Sequence, residues 1–558
     1  MPVTETGDQY SVWVGLIYIF NLIVGTGALT LPAAFARAGW GLSTISLLFL
    51  AFMSFMNATY VIETLACANA VFKWKRLQFI KRNSIQDHES DEEPSSSQHH
   101  YGELEDPLVC GESIPSRYYS LDKRVELGEM ANLFLNKSGR TMFYCTLCIQ
   151  DHESDEEPSS SQHHYGELED PLVCGESIPS RYYSLDKRVE LGEMANLFLN
   201  KSGRTMFYCT LCVYLYGDLS IYSAAVAKSM MDIVCSTVPA NASNTTDWDA
   251  LPCFNVSSTA PDAYTRLDCY RVALLTFFAV TGPFIFSNVQ KTKYLQLFTS
   301  GMRWLAFAIM ISMAIYLLIG HGPQGKPPAF DFTGMPTLFG ACVYSFMCHH
   351  SLPGLISPIR GKNRLGLHLA LDYALISVFY LLLAFTGAFA FAKLSDLYTL
   401  NFVPTDNENI ILEIVEYFLA LFPVFTLSTS FPIIAITLRN NLQSLFLDTT
   451  RLESYNIILR KLLFPIITVA PPLLLTYFLE DIGILIKFTG SYAGTGIQYL
   501  MPTFLVLSAR RHCTNLLGLG VVNKYKSPFS HIAWAVFVLL WSFMCIILVS
   551  VNIFEKNS

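Results

Sequence analysis

Gly25 and Gly27 bracket Thr26 inside an apolar run and put backbone, rather than side chains, at the disposal of chemistry. The run reads Asn21-Leu-Ile-Val-Gly-Thr-Gly-Ala-Leu-Thr-Leu-Pro32, with hydrophobic sequence before it from Tyr10 to Phe20 and after it from Ala33 to Phe35. Glycine weakens a helix and Pro32 withholds a backbone donor, so a membrane helix is expected to break here. Unmet amides and carbonyls are costly in hydrocarbon, which makes such a break the lining of a cavity for a small solute or an ion. The half-helix that starts near Ala28 offers amides and a positive dipole end, suited to a carboxylate. The half that ends near Val24 offers carbonyls, suited to a sodium ion.

Two other places carry polar groups at membrane depth. Phe339-Gly-Ala-Cys-Val-Tyr-Ser-Phe-Met-Cys-His-His-Ser-Leu-Pro-Gly354 holds two histidines, a serine and Pro-Gly where an unbroken apolar helix is expected, so it reads as a second break. Asp218 lies deep in a further apolar run. Membrane carboxylates are rare and face a cavity or a partner, so Asp218 is either a coupling group or a structural hydrogen bond to a neighbouring helix.

The elements that position these residues follow from apolar windows of about twenty residues. Spans are expected near 10–35 (broken), 42–68, 205–228, 270–288, 298–320, 335–357 (broken), 367–392, 410–436, 457–479, 483–508 and 530–553, eleven in all. The sequence thus predicts an all-α polytopic membrane protein. Its Lys and Arg residues gather in loops after even-numbered spans, such as Lys73 to Arg82 and Arg360 to Arg364, which places the N-terminus (1–9) in the cytosol and the C-terminus (554–558) outside it. The loop 229–269 then faces away from the cytosol, and it holds the sequons Asn241, Asn244 and Asn255, expected to be glycosylated. Asn57, Asn136 and Asn200 also match the pattern but lie in a span or a cytosolic loop and should stay unmodified. Cys235, Cys253 and Cys269 cluster at the same loop; three cysteines allow one disulfide there, and the spacing does not choose the pair.

A hydrophobic content of 52% in 558 residues excludes an ordinary soluble domain. The net charge of −8 suggests basic partners until its position is considered. Ile85–Cys148 recurs without a change as Ile149–Cys212, and each copy carries 12 acids and 5 bases; the rest of the chain holds 21 acids and 27 bases. The acidity belongs to one insertion within the cytosolic loop 69–204, and no nucleic acid partner is implied. Copy one has too short an apolar stretch at Thr141–Cys148 to span and is expected to be surplus loop. Copy two continues through Val213 into the third span, with Val189–Leu199 as a short helix ahead of it. The Tyr118–Leu121 and Tyr182–Leu185 tetrapeptides fit a tyrosine-based sorting signal or a plain solvated loop, so cytosolic adaptors are candidate partners of this region.

Breaks in spans one and six stand five spans apart, as two halves of inverted topology (spans one to five and six to ten) with an eleventh helix added would give; this points to a transporter with a midplane site. The motifs then resemble the amino acid/auxin permease superfamily and, within it, the sodium-coupled neutral amino acid transporters. Asn21 to Gly27 is similar to their first-helix pattern, Phe346-Met-Cys-His-His-Ser-Leu-Pro353 to their sixth-helix pattern, one residue shorter, and Ser430-Phe-Pro-Ile-Ile-Ala-Ile-Thr-Leu-Arg439 to their eighth. Gln290–Gln296, Tyr344–Cys348 and Tyr492–Tyr499 resemble an orphan group of animal membrane proteins in the same superfamily.

The resemblance implies a LeuT-like 5+5 inverted repeat. It implies that Asn21, Val24, Thr429 and Ser430 hold sodium, the one ion expected and no other cofactor. It implies that Gly25, Thr26 and Gly27 hold the substrate carboxylate, while Tyr344, Ser345 and His349 face its amine and side chain. The shortened His-His segment leaves a proton as the alternative coupling ion, carried by His349, His350 or Asp218. The expected function is cation-coupled transport of small neutral amino acids at the plasma membrane or an endolysosomal membrane. The alternative is a non-transporting amino acid receptor that signals through the 69–204 loop. No P-loop, nucleophile elbow or metal-ligand spacing supports an enzyme.

Overall fold

The computed structural model describes residues 9–89, 182–235, 252–254, 264–286, 293–362, 364–402, 410–447, 462–518 and 521–557. The first copy of the duplication beyond residue 89, Tyr118–Leu121, the sequons Asn241, Asn244 and Asn255, and most of the loop that carries them lie outside the described residues.

The described residues are helical, without strands. Two isolated backbone bridges, Tyr10 to Ile359 and Pro252 to Thr265, are the only β-type pairing among them. The helices are α1 (Val12–Ile23), α2 (Thr26–Ala38), α3 (Trp40–Glu89), α4 (Leu191–Phe198), α5 (Lys201–Val234), α6 (Arg266–Thr281), α7 (Lys293–His321), α8 (Met335–Ser345), α9 (Leu352–Ile356), α10 (Leu365–Ala390), α11 (Ile410–Phe446), α12 (Phe464–Phe478), α13 (Ile482–Phe488), α14 (Met501–Leu517) and α15 (Ile532–Asn557).

Seven helical stretches of the described residues are long and apolar enough to cross a membrane: Trp40–Ile80, Lys201–Val234, Arg266–Phe286, Phe298–His321, Leu365–Ala390, Ile410–Phe446 and Ile532–Val551. The pair α1 and α2, bent by 53° at the expected break, makes an eighth if it is one span. The other three expected spans are not among these. Span six stops at Ser345 and restarts at Leu352. Of span nine the described residues show α12, 15 residues with Pro471 and Pro472 inside, while 457–461 lie outside the described residues. Span ten runs from α13 through π-helical turns at Thr489–Gly494 and Gly496–Leu500 into α14. Close approach explains the last case: a Cβ on Gly490 would fall 2.1 Å from the Gly340 carbonyl oxygen, so the two backbones touch where no side chain fits.

Copy two does become a span, as expected. Glu190 and Glu193 form a reciprocal cap at the start of α4, and Asn200 caps α5 by accepting from the Gly203 amide at 2.8 Å.

The chain divides into two compact units. The larger comprises Met1–Leu65, Leu185–Ser508 and Lys526–Ser558. Within it α2 packs against α8 and α10, α7 against α10 and α11, and α5 against α6, α11 and α12. Large apolar side chains such as Ile319, Phe478 and Leu540 stay exposed on its helices, as lipid-facing residues do. The smaller unit comprises Ala66–Ser184 and Ala509–Tyr525; in it Asn69 Nδ2 donates to the Ser184 carbonyl at 2.9 Å and Cys513 approaches the Cys67 carbonyl at 3.7 Å. Of the three clustered cysteines, Cys235 and Cys253 form the disulfide and Cys269 keeps a free, buried thiol.

Candidate functional site

The site is built where the two broken spans meet. α1 ends because the Val24 amide closes on the Phe20 carbonyl and the Gly25 amide turns back to Ile23, 2.9 Å away. α2 then starts at Thr26 with Gly25 as its cap. The Ala28 amide takes the Gly25 carbonyl at 3.2 Å, so the amides of Thr26 and Gly27 are the ones a helix start leaves to other partners. A Cβ on Gly25 would meet nothing within 4 Å, which marks open space at the break. Gly27 is the opposite case: a Cβ there would lie 2.5 Å from Ser345 Cα, so only glycine lets α2 sit on the end of α8.

Tyr380 of α10 pins the two breaks together. Its hydroxyl lies 2.9 Å from the Ile23 carbonyl of the first break and 2.9 Å from the Ser345 carbonyl of the second. Tyr373, two turns earlier, serves the non-helical stretch that follows Ser345: its hydroxyl lies 3.1 Å from Ser54 Oγ and 3.2 Å from Cys348 Sγ, and Ser54 Oγ donates to the Phe346 carbonyl at 3.1 Å.

The polar wall of the site comes from α5. The Tyr344 hydroxyl donates to Asp218 Oδ1 at 2.5 Å, with both side chains buried. Tyr222, one turn on from Asp218, faces the Thr26 side chain. Among the described residues no Lys, Arg or His side chain forms an ion pair with Asp218.

The structure thus joins Gly25, Thr26, Gly27, Tyr344, Ser345 and Asp218 in one place. His349 and His350 follow in the non-helical stretch after Ser345 and make other contacts. His349 Nε2 stands 3.1 Å from the Ser54 carbonyl, His350 lies against the Tyr214 ring at 5.7 Å, and the Nδ1 of each has no hydrogen-bond partner among the described residues. The Ser345 hydroxyl is turned back to the Ala341 carbonyl at 2.7 Å, so the residue presents backbone rather than its Oγ.

A second cluster collects the residues that the resemblance assigns to sodium. Asn21 and Ser430 come together, with Val24 buried beside the break. Thr429 turns its hydroxyl to the Thr426 carbonyl at 2.9 Å. Between Asn21 and Ser430 sits Arg303 of α7: Nη1 donates to the Asn21 carbonyl at 2.6 Å and Nη2 to Ser430 Oγ at 3.4 Å. The Asn21 side chain donates to Ser300, one turn before Arg303, and Trp304 stacks on Phe20 with ring centroids 4.3 Å apart. Guanidinium donors therefore meet the Asn21 carbonyl and the Ser430 hydroxyl, two of the oxygens in the expected sodium set.

Sequence reasoning missed Arg303, Tyr380, Tyr222 and Asp372, the last a buried carboxyl on α10 whose Oδ2 has no hydrogen-bond partner among the described residues. A basic residue inside an apolar span was the available signal for Arg303. Nothing in spacing distinguishes Tyr380 from the aromatic residues around it.

The family model described as "Transmembrane amino acid transporter protein" matches residues 8–76 and 174–551. The interval it passes over contains the first copy of the duplication, and the match resumes within the second. Among curated proteins, "Transmembrane protein 104 homolog" of Drosophila melanogaster is 47% identical over 559 residues, covering 99% of this chain and 98% of its own length. "Transmembrane protein 104" of Homo sapiens is 44% identical over 554 residues, with 99% and 98% covered, and the Dictyostelium discoideum homolog is 32% identical with 97% of each covered.

Proposed function

The chain belongs to the transmembrane amino acid transporter protein family, alongside the proteins named transmembrane protein 104, and on that premise we propose that it is a secondary active transporter of small neutral amino acids that works by alternating access. The observation that carries this reading is the meeting of two helix breaks, held by Gly27 on Ser345 and by Tyr380 between the Ile23 and Ser345 carbonyls. Broken backbone at membrane depth is kept where it binds something, and the amides of Thr26 and Gly27 suit a substrate carboxylate. Open space beside Gly25 gives the substrate room, and Tyr344 and Asp218 close the other side. Asp218 is the coupling acid in this reading, because a buried carboxyl held, among the described residues, by a hydroxyl alone can take up and release a proton as the site opens to either face.

The same reading carries eleven spans in a 5+5 inverted arrangement with one added helix, a cytosolic N-terminus, an extracytosolic C-terminus and sugars on Asn241, Asn244 and Asn255. It places the protein in the plasma membrane or an endolysosomal membrane.

The test is uptake by the purified protein in liposomes, with radiolabelled alanine, serine and glutamine and with inward proton and sodium gradients imposed separately. Gly25→Val is the informative variant: a Cβ at this position meets nothing within 4 Å, so its side chain enters the open space beside the break. The expected result is gradient-driven accumulation by the native protein and its loss in Gly25→Val at unchanged thermal stability. Saturable binding without accumulation under either gradient would sink the transport reading and leave the receptor.

A further inference from the structure

The carbonyl end of α1 needs positive charge. A helix C-terminus concentrates the negative end of the dipole, and the break removes the next turn that would have used the Asn21 and Ile23 carbonyls. In the larger unit the Ile23 carbonyl is met by the Gly25 amide and Tyr380, and the Asn21 carbonyl by the Arg303 guanidinium. Arg303 is half-buried, on an apolar helix, and among the described residues it has no carboxylate within ion-pair distance. A guanidinium without an acid at this depth is there for the carbonyl and hydroxyl oxygens it bonds.

We propose that Arg303 is a built-in cation at the carbonyl end of α1, standing between Asn21 and Ser430 where a coupling ion would otherwise bind, so that the protein neither binds nor uses sodium. Three features of the geometry support this. The two oxygens that Arg303 engages, Asn21 O and Ser430 Oγ, come from the two helices that would have to supply a sodium ion's shell. A second cation beside the guanidinium would face its repulsion at contact distance in a poorly screened interior. The guanidinium is also positioned from both sides, by the bond from Asn21 to Ser300 one turn earlier and by the stacking of Phe20 on Trp304 next to it, so the break and α7 are in register through consecutive residues. Arginine stays charged across the cellular pH range, which makes this cation permanent rather than exchangeable. It acts as a positioning residue: it holds the end of α1 and touches no substrate.

This inference deepens the transporter reading and rests on it for the word coupling, but its test does not depend on transport. The thermal unfolding of the purified full-length protein in detergent is compared in sodium chloride and in choline chloride at equal ionic strength. A ligand that binds only the folded state raises the midpoint, and about 150 mM of an ion that occupies its site at a tenth of that concentration would raise it by about 1 °C. The native protein is expected to show the same midpoint in both salts. Arg303→Ala, which opens the oxygen cluster, is expected to gain a sodium-dependent rise, and Arg303→Lys, which keeps the charge, is expected to remain indifferent to sodium. A sodium-dependent rise in the native protein overturns the proposal outright. If Arg303→Ala does not fold, the native and Arg303→Lys comparisons still decide. In liposomes, uptake that is equal in sodium and in choline agrees with the inference, uptake that requires sodium overturns it, and absence of any uptake counts against the transporter reading while the unfolding result stands.

Discussion

Tyr380→Phe removes one oxygen and one proton and should disconnect the two helix breaks. The hydroxyl sits 2.9 Å from both the Ile23 and the Ser345 carbonyls, and its single proton serves one or shares between them. The Ile23 carbonyl keeps the Gly25 amide after the substitution, also at 2.9 Å. The Ser345 carbonyl, at the end of α8, keeps no other donor among the described residues, so it bears the loss. A buried carbonyl without a partner costs about 1–3 kcal/mol, and the phenyl ring retains the contacts with Phe346 and Phe379, so no cavity adds to that figure. If the bond is made in only one end state of the transport cycle, its loss redistributes the two states by about 5- to 150-fold. The assay pairs thermal unfolding with initial rates of amino acid uptake in liposomes, native against variant. Tyr373→Phe is the matched control, because Ser54 still donates to the Phe346 carbonyl at 3.1 Å after that change and no carbonyl is abandoned. The expected order is a clear loss of stability and rate for Tyr380→Phe and a smaller one for Tyr373→Phe. Equal effects of the two substitutions, or a Tyr380→Phe protein indistinguishable from native, would refute the argument from the unmet carbonyl.

Two further predictions concern protons and sulfur. Asp218→Asn keeps an acceptor for the Tyr344 hydroxyl but cannot exchange a proton, so stability should stay near native while an imposed proton gradient no longer drives uptake; stimulation equal to that of the native protein would remove Asp218 from the coupling step. Cys253→Ala frees Cys235 in a cluster where the sulfurs of Cys235, Cys253 and Cys269 all lie within 4.8 Å of one another, a separation that a change of rotamer closes, so peptide mapping without reductant should find Cys235 joined to Cys269. Two free thiols in that variant would show that the cluster is more rigidly held than its spacing implies.

What the sequence made legible and what it did not divide along a physical line. Both helix breaks could be read, because Gly25-Thr26-Gly27 and His349-His350-Ser351-Leu352-Pro353-Gly354 state locally that a helix cannot continue; the structure bends by 53° at the first and interrupts the helix from Ser345 to Leu352 at the second. The interior of span ten was overlooked although Gly494-Thr495-Gly496 repeats the signal of the first break; what the sequence did not show is that its π-helical turns accompany contact with a backbone 150 residues away, Gly490 on Gly340. The resemblance drew attention to Asn21 and Ser430, which do come together, but not to the side chain between them. That omission has a general cause. A break announces the carbonyls it exposes and says nothing about the donors that meet them, and those donors sit on other spans: Arg303 for Asn21, Tyr380 for Ser345, Ser54 for Phe346. None belongs to a motif, and each looks like an incidental polar residue in an apolar helix. Yet once a break is identified, hydrocarbon demands that each exposed carbonyl be met, and the supply of membrane-depth hydroxyl and guanidinium donors is short. A reading that had counted the exposed carbonyls and searched the remaining spans for donors would have come to Arg303, since an arginine inside an apolar span has few other reasons to be there.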